Sequence, residues 1–141
     1  MIKKRLCLLI LLLVVMVLTV GICGIQAAAN KQIALIVPDM VNPFWIYMKE
    51  GAEKEAARLD VKLESFAPVK AYNVEDQVRI IEDLIQRKVD AIVVVAADSE
   101  GIVPGIEKAN KAKIPVIASN TSVFGGKVET FVGYDNAMAM Y

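Results

Sequence analysis

The stretch VDAIVVVAADSEGIVPGIEKANKAKIPVIASN, residues 89–120, decides the fold. Its first part, AIVVVAA over 91–97, is a continuous apolar run rich in branched side chains, as expected for a strand covered on both faces. Asp98 or Ser99 then offers a helix cap, and Ile102, Ile106 and Ala109 recur at helical spacing. PVIA over 115–118 closes the unit as a second strand. A strand, a helix and a strand in so short a span predict a parallel pair joined by a right-handed crossover.

The same pattern extends in both directions. Upstream, 31–37 contains IALIV and ends at Pro38, which predicts another doubly covered strand. Asn42 suits an N-cap and Pro43 the first helical position, and Trp45, Met48, Ala52, Ala56 and Leu59 form an inward stripe. Residues 61–66 alternate Val, Leu and Phe with Lys, Glu and Ser, predicting a half-exposed edge strand. Asn73 caps a second helix with Glu75 and Asp76 in its first turn and Val78, Ile81, Leu84 and Ile85 inward. Downstream, Gly125 and Gly126 form a turn before a fifth strand at 129–133, and a further helix is expected after Asn136. The fold class is therefore α/β, a Rossmann-like, doubly wound parallel sheet with 91–97 at its centre.

The first 29 residues have a different character. Lys3, Lys4 and Arg5 precede an apolar stretch over 6–25, and Ala27 to Ala29 provide the small residues of a cleavage site, as in a secretory signal peptide. The apolar stretch exceeds the usual h-region of about 7 to 15 residues, so an uncleaved membrane anchor stays open. Acylation at Cys23 is disfavoured by the bulky Ile22 before it. Either arrangement places residues 30–141 in the periplasm or at the outer face of the cell envelope.

Both cysteines, Cys7 and Cys23, fall in that leader, and the chain has no histidine. Residues 30–141 thus carry no thiol nucleophile, no disulfide and no Cys or His metal ligand, so no metal and no cofactor is expected and binding is favoured over catalysis. Of the 16 basic residues three lie in the leader, leaving 13 against 16 acidic ones, a balance that argues against a nucleic-acid partner. Neither G-x-G-x-x-G nor G-x-x-x-x-G-K-[ST] occurs, so phosphate recognition lacks its usual loop. Asp39, Asp98 and Ser119 near strand ends suit a phosphoacceptor receiver. That reading lacks the Lys expected after the fifth strand, and export separates it from cytoplasmic phosphodonors.

In an open parallel sheet the ligand crevice lies beyond the carboxyl ends of the strands. Here that selects 38–45, 97–100, 119–122 and 134–136, whose amides, hydroxyls, carboxylates and aromatics suit a neutral polyhydroxylated ligand.

NPFWIYMKEGAEKEAARL over 42–59, the 89–120 stretch and FVGYDNAMAM over 131–140 together resemble the ribose-type periplasmic sugar-binding proteins of ABC transporters, across 32–141. The resemblance implies two α/β lobes joined by a hinge, with a sugar held between them and delivered to a membrane permease. This chain matches the N-terminal lobe only, so 30–141 is expected to be an incomplete lobe and the full-length protein a monomer. By resemblance Asn42, Phe44 and Trp45 contact the sugar, with the aromatics stacking on the ring. Asp98 lines the crevice mouth, and Asp135 faces the region between the lobes. Ribose binders of the family carry Asp-Arg after the IPVI strand, where Asn120 and Thr121 stand here. Those two residues can still bind hydroxyls, but loss of a bidentate Arg argues against ribose itself.

For each of these positions a structural role stays open. Asn42, Asp98 and Asp135 can be caps, Asn120 and Thr121 ordinary loop residues, and both aromatics core; Tyr72 has no assigned role. The function expected is capture of a sugar or polyol for import. The alternative is a sensory or quorum-type receptor presenting a polyol to a membrane kinase or chemoreceptor. A sugar-responsive repressor is disfavoured, because a leader stands where its helix-turn-helix would be.

Overall fold

The structure is a computed structural model and describes residues 31–133. The expected leader and cleavage site, Asp135 and the helix expected after Asn136 lie outside the described residues. Among the described residues five strands and three helices follow in the order β1 (Gln32–Ile36), α1 (Pro43–Arg58), β2 (Lys62–Phe66), α2 (Val74–Gln86), β3 (Ala91–Val94), α3 (Val103–Lys111), β4 (Val116–Ser119) and β5 (Thr130–Val132). The sheet order is β2-β1-β3-β4-β5 and every neighbouring pair is parallel. This is the doubly wound α/β arrangement, with β3 central and β2 at an edge.

Alternation along each strand divides the core into two layers. Ala34, Ile36, Ile92, Val94 and Val116 share one layer with Ile81 and Leu84 of α2 and Ile106 and Ala109 of α3. Leu35, Val37 and Val95 form the other with Trp45 of α1. Burying one Ile or Leu side chain contributes about 1.5–3 kcal/mol, so the larger layer under α2 and α3 carries most of the apolar stabilisation. Gly105 permits the close approach of those two helices, since a Cβ there would stand 2.9 Å from Ile81 Cδ1.

The helix starts differ in how closely they follow the sequence. Asn42 and Asn73 cap α1 and α2, accepting from Phe44 N and Asp76 N. The expected cap of α3 by Asp98 or Ser99 does not form. That helix begins later, behind Ile102, with no side-chain cap, because Asp98 closes a separate turn first. Leu59 also departs from the expected stripe: it is the C-cap of α1 and 54% exposed. The apolar run 91–97 outlasts its strand, which ends at Val94.

All three helices end the same way. Asp60, Lys88 and Lys113 adopt left-handed backbone with φ of 54°, 56° and 61°. Their amides donate to Ala57, Ile85 and Asn110, and the following Val61, Val89 and Ile114 donate to Ala56, Leu84 and Ala109. This is the Schellman arrangement, in which the last residue also packs its apolar side chain against the helix and leads into the next strand. A side chain in left-handed backbone costs about 1 kcal/mol relative to Gly. Lys88→Gly and Lys113→Gly are therefore each expected to raise unfolding stability by up to about 1 kcal/mol, measured by urea denaturation.

Edge strand β2 is protected by charge. Glu64 accepts from Gln32 and pairs with both Lys62 and Arg87, and the hydrogen bonds from Lys62 first and Arg87 next hold its carboxyl down at about 2. Charged side chains of this kind discourage pairing with another chain along the open edge.

Candidate functional site

The chain leaves β1 toward β2 in one direction and returns past β1 to β3 in the other, so the carboxyl ends of β1 and β3 form the topological switch point of the sheet. The loops that stand there are 37–42 and 95–102, with 120–129 alongside.

The first loop is built around Asp39, a carboxylate only 5% exposed. Its Oδ1 accepts from the amides of Val41 at 2.9 Å and Asn42 at 2.7 Å, which turns the chain and delivers Asn42 to the start of α1. The Asn42 side chain is exposed and uses Oδ1 to accept from Phe44 N at 3.0 Å. Its cap role is thus present, while its side-chain Nδ2 makes no hydrogen bond among the described residues. The two aromatics diverge. Phe44 is 39% exposed, whereas Trp45 is 6% exposed and packs with Leu35, Val37 and Val95. Their rings meet edge to face at 4.7 Å between centroids. Trp45 Nε1 donates to Tyr72 Oη at 3.3 Å, giving Tyr72 a part in supporting the loop.

At the end of β3, Asp98 is exposed and its Oδ1 accepts from Glu100 N at 3.0 Å and Gly101 N at 2.6 Å. Phe124 N donates to Ser99 O at 3.1 Å, so the segment after β4 rests on this turn. Asn120 is exposed, with φ at 60°, a conformation that Asn tolerates better than most residues. Its amide donates to Val132 O at 2.8 Å, tying β4 to β5, and Thr121 beside it is half-buried. Asn42, Phe44, Asp98, Asn120 and Thr121 thus all stand at the carboxyl end of the sheet, with Trp45 beneath them.

Segments 38–45, 97–101 and 119–126 contain Asp39, Asp98 and Glu100 and no Lys or Arg. These three segments therefore offer no cation to a phosphate or carboxylate, and hydrogen bonding from them falls to amides, hydroxyls and backbone; Lys70 and Lys127 stand in the flanking connections. An open hollow of about 530 Å³ adjoins the first loop, lined by Met40, Val41, Phe66, Pro68 and Val69 among others. Another, of about 480 Å³, lies at the opposite end of the sheet beside Lys88 and Lys113, away from the switch point. Among the described residues no group of three or more His, Cys, Asp or Glu is placed to hold a metal ion, and no helix is long and apolar enough to cross a membrane.

The structural roles of two residues, Asp39 and Gln77, escaped the sequence reading. Asp39 shows no motif for its loop-closing role. Gln77 is fully buried on α2 beside residues 95–97, and its position four residues before Ile81 on the inward stripe was the available signal.

A doubly wound lobe with polar loops and one half-exposed aromatic gathered at its switch point has the design of a ligand-binding α/β lobe. The chain belongs to the periplasmic binding protein family: the periplasmic binding protein domain matches residues 33–139. A ribose import binding protein of Bacillus subtilis is 39% identical over 113 residues, covering 77% of this chain and 36% of that protein. A D-allose-binding periplasmic protein of Escherichia coli is 31% identical over 118 residues, covering 79% and 38%. Among solved structures, an ABC transporter periplasmic solute binding protein from Actinobacillus succinogenes with bound D-allose matches with a TM-score of 0.65 and 36% identity, over 67% of this chain and 33% of that one. The chain therefore spans little more than a third of the relatives it matches, as a single lobe does.

Proposed function

We propose that this chain is the N-terminal lobe of an exported binding protein that captures a neutral sugar or polyol and hands it to an ABC permease without chemical change. The observation that carries the reading is the switch-point loop 38–45, which holds Asn42 and the half-exposed Phe44 and contains no Lys or Arg. An amide beside an aromatic edge matches a sugar, whose hydroxyls need donors and acceptors and whose C–H face needs apolar cover. In this reading Asn42, Phe44, Asp98, Asn120 and Thr121 contact the ligand, with Asp135 joining from outside the described residues and Trp45 supporting Phe44 from below. The names of the relatives support a monosaccharide. The lobe acts in the periplasm, released by cleavage after Ala29 or held by its leader, and closes on the sugar as a monomer together with a second lobe.

Calorimetry on the complete protein tests this. D-allose is expected to bind with micromolar or tighter affinity, D-ribose more weakly for want of the Arg, and ribose 5-phosphate not to bind. Binding of amino acids or nucleotides in place of neutral sugars would overturn the proposal.

A further inference from the structure

We infer that Gln77 is a positioning residue for the crevice, holding residues 95–97 where they leave the sheet and so fixing the turn that carries Asp98. Its effect on binding rests on the sugar-lobe reading above; its effect on the loop does not.

The argument starts from the early end of β3. Val95 N still donates to Ile36 O, but beyond that point the chain departs from the ladder. The carbonyl of Val95 and the amide of Ala97 must find partners elsewhere, because buried backbone groups left unpaired are costly. Gln77 supplies both. Its Nε2 donates to Val95 O at 2.9 Å and its Oε1 accepts from Ala97 N at 2.8 Å, and the side chain is fully buried. A primary amide presents a donor beside an acceptor, as a neighbouring strand would, so Gln77 continues the pairing of β3 from the side of α2.

The effect reaches the crevice within three residues. Asp98 Oδ1 turns the chain by accepting from the amides of Glu100 and Gly101. A Cβ on Gly101 would stand 3.2 Å from the side chain of Val74, one turn before Gln77 on α2. One helix therefore braces the loop at both ends. The Ser99 carbonyl then accepts from Phe124 N and passes the same position to the segment after β4.

The test compares Gln77→Met, which keeps the length and loses both hydrogen bonds, with Gln77→Glu. At a fully buried site the new carboxyl is expected to stay protonated, offering the same donor beside the same acceptor. Amide exchange on the complete protein should show Ala97 losing protection about tenfold in Gln77→Met, while Val37, whose amide is bonded to Phe66 O, stays protected. D-allose or D-ribose affinity per folded molecule should fall by a similar factor, and Gln77→Glu should retain both properties. Should Gln77→Met not fold, Gln77→Asn, too short to reach both partners, is expected to show the same selective loss. Equal loss at Ala97 and Val37, unchanged protection at Ala97, or unchanged affinity would each overturn the inference. If neither sugar binds the unsubstituted protein, the sugar reading fails and the exchange comparison alone decides the role of Gln77.

Discussion

Trp45→Ala is expected to destabilise the lobe by about 3–5 kcal/mol, the cost of emptying a large buried site whose surroundings relax only in part. The ring is 6% exposed and forms the centre of the layer under α1, touching both β1 and the end of β3. That layer has four buried members, with Met48, Ala52, Leu63, Ala67 and Val93 packed against it partly buried, and Trp45 is the largest of them, so its loss empties the largest site in the layer. The change also removes the donor to Tyr72 and the edge-to-face partner of Phe44. For a domain of this size each kcal/mol lowers the melting temperature by about 4–8 °C, so the loss should exceed 10 °C by a clear margin. Circular dichroism in urea is the suitable measurement, because Trp45 is the chain's single tryptophan and fluorescence would vanish with it. A change below about 1 kcal/mol would show that the ring does not hold this layer together.

Phe44→Ala is expected to do the reverse: to weaken sugar binding about thirtyfold, some 2 kcal/mol, while costing the fold only about 1 kcal/mol. Phe44 is 39% exposed, and its ring meets that of Trp45 edge to face. An aromatic ring that is half open in the free lobe and covered in the complex contributes mainly to the complex. Calorimetry and denaturation on the same variant separate the two effects. If affinity per folded molecule is unchanged, Phe44 is not part of the binding surface.

These neighbouring aromatics show where sequence reading succeeds and where it stops. The strands, the parallel order and the caps Asn42 and Asn73 were all legible, because each depends on local chemistry: branched apolar runs, Asn before a helix, Pro at a first turn. Helical spacing placed Trp45 at the head of the inward stripe, and its burial agrees; the stacking contact came from the resemblance, which treats both aromatics alike. The cap of α3 was misplaced because Asp98 can serve an isolated turn as well as a helix, and only the full path of 98–102 distinguishes them. Gln77 was missed for a different reason. Its partners are backbone atoms 18 and 20 residues away, and the need for them arises only because β3 ends before its apolar run does.

The three left-handed helix ends at Asp60, Lys88 and Lys113 have a consequence for how such a lobe can change over evolutionary time. Each fixes the exit of a helix and the entry of the next strand within a few residues, so an insertion there would slip the strand and turn its apolar side chains the wrong way. At the opposite end the connections are longer and are held by individual side chains such as Asp39, Gln77 and Asp98 rather than by the sheet. Residues there can be exchanged, lengthened or shortened while the scaffold keeps its register. One end preserves the architecture, and the other is free to acquire a new specificity.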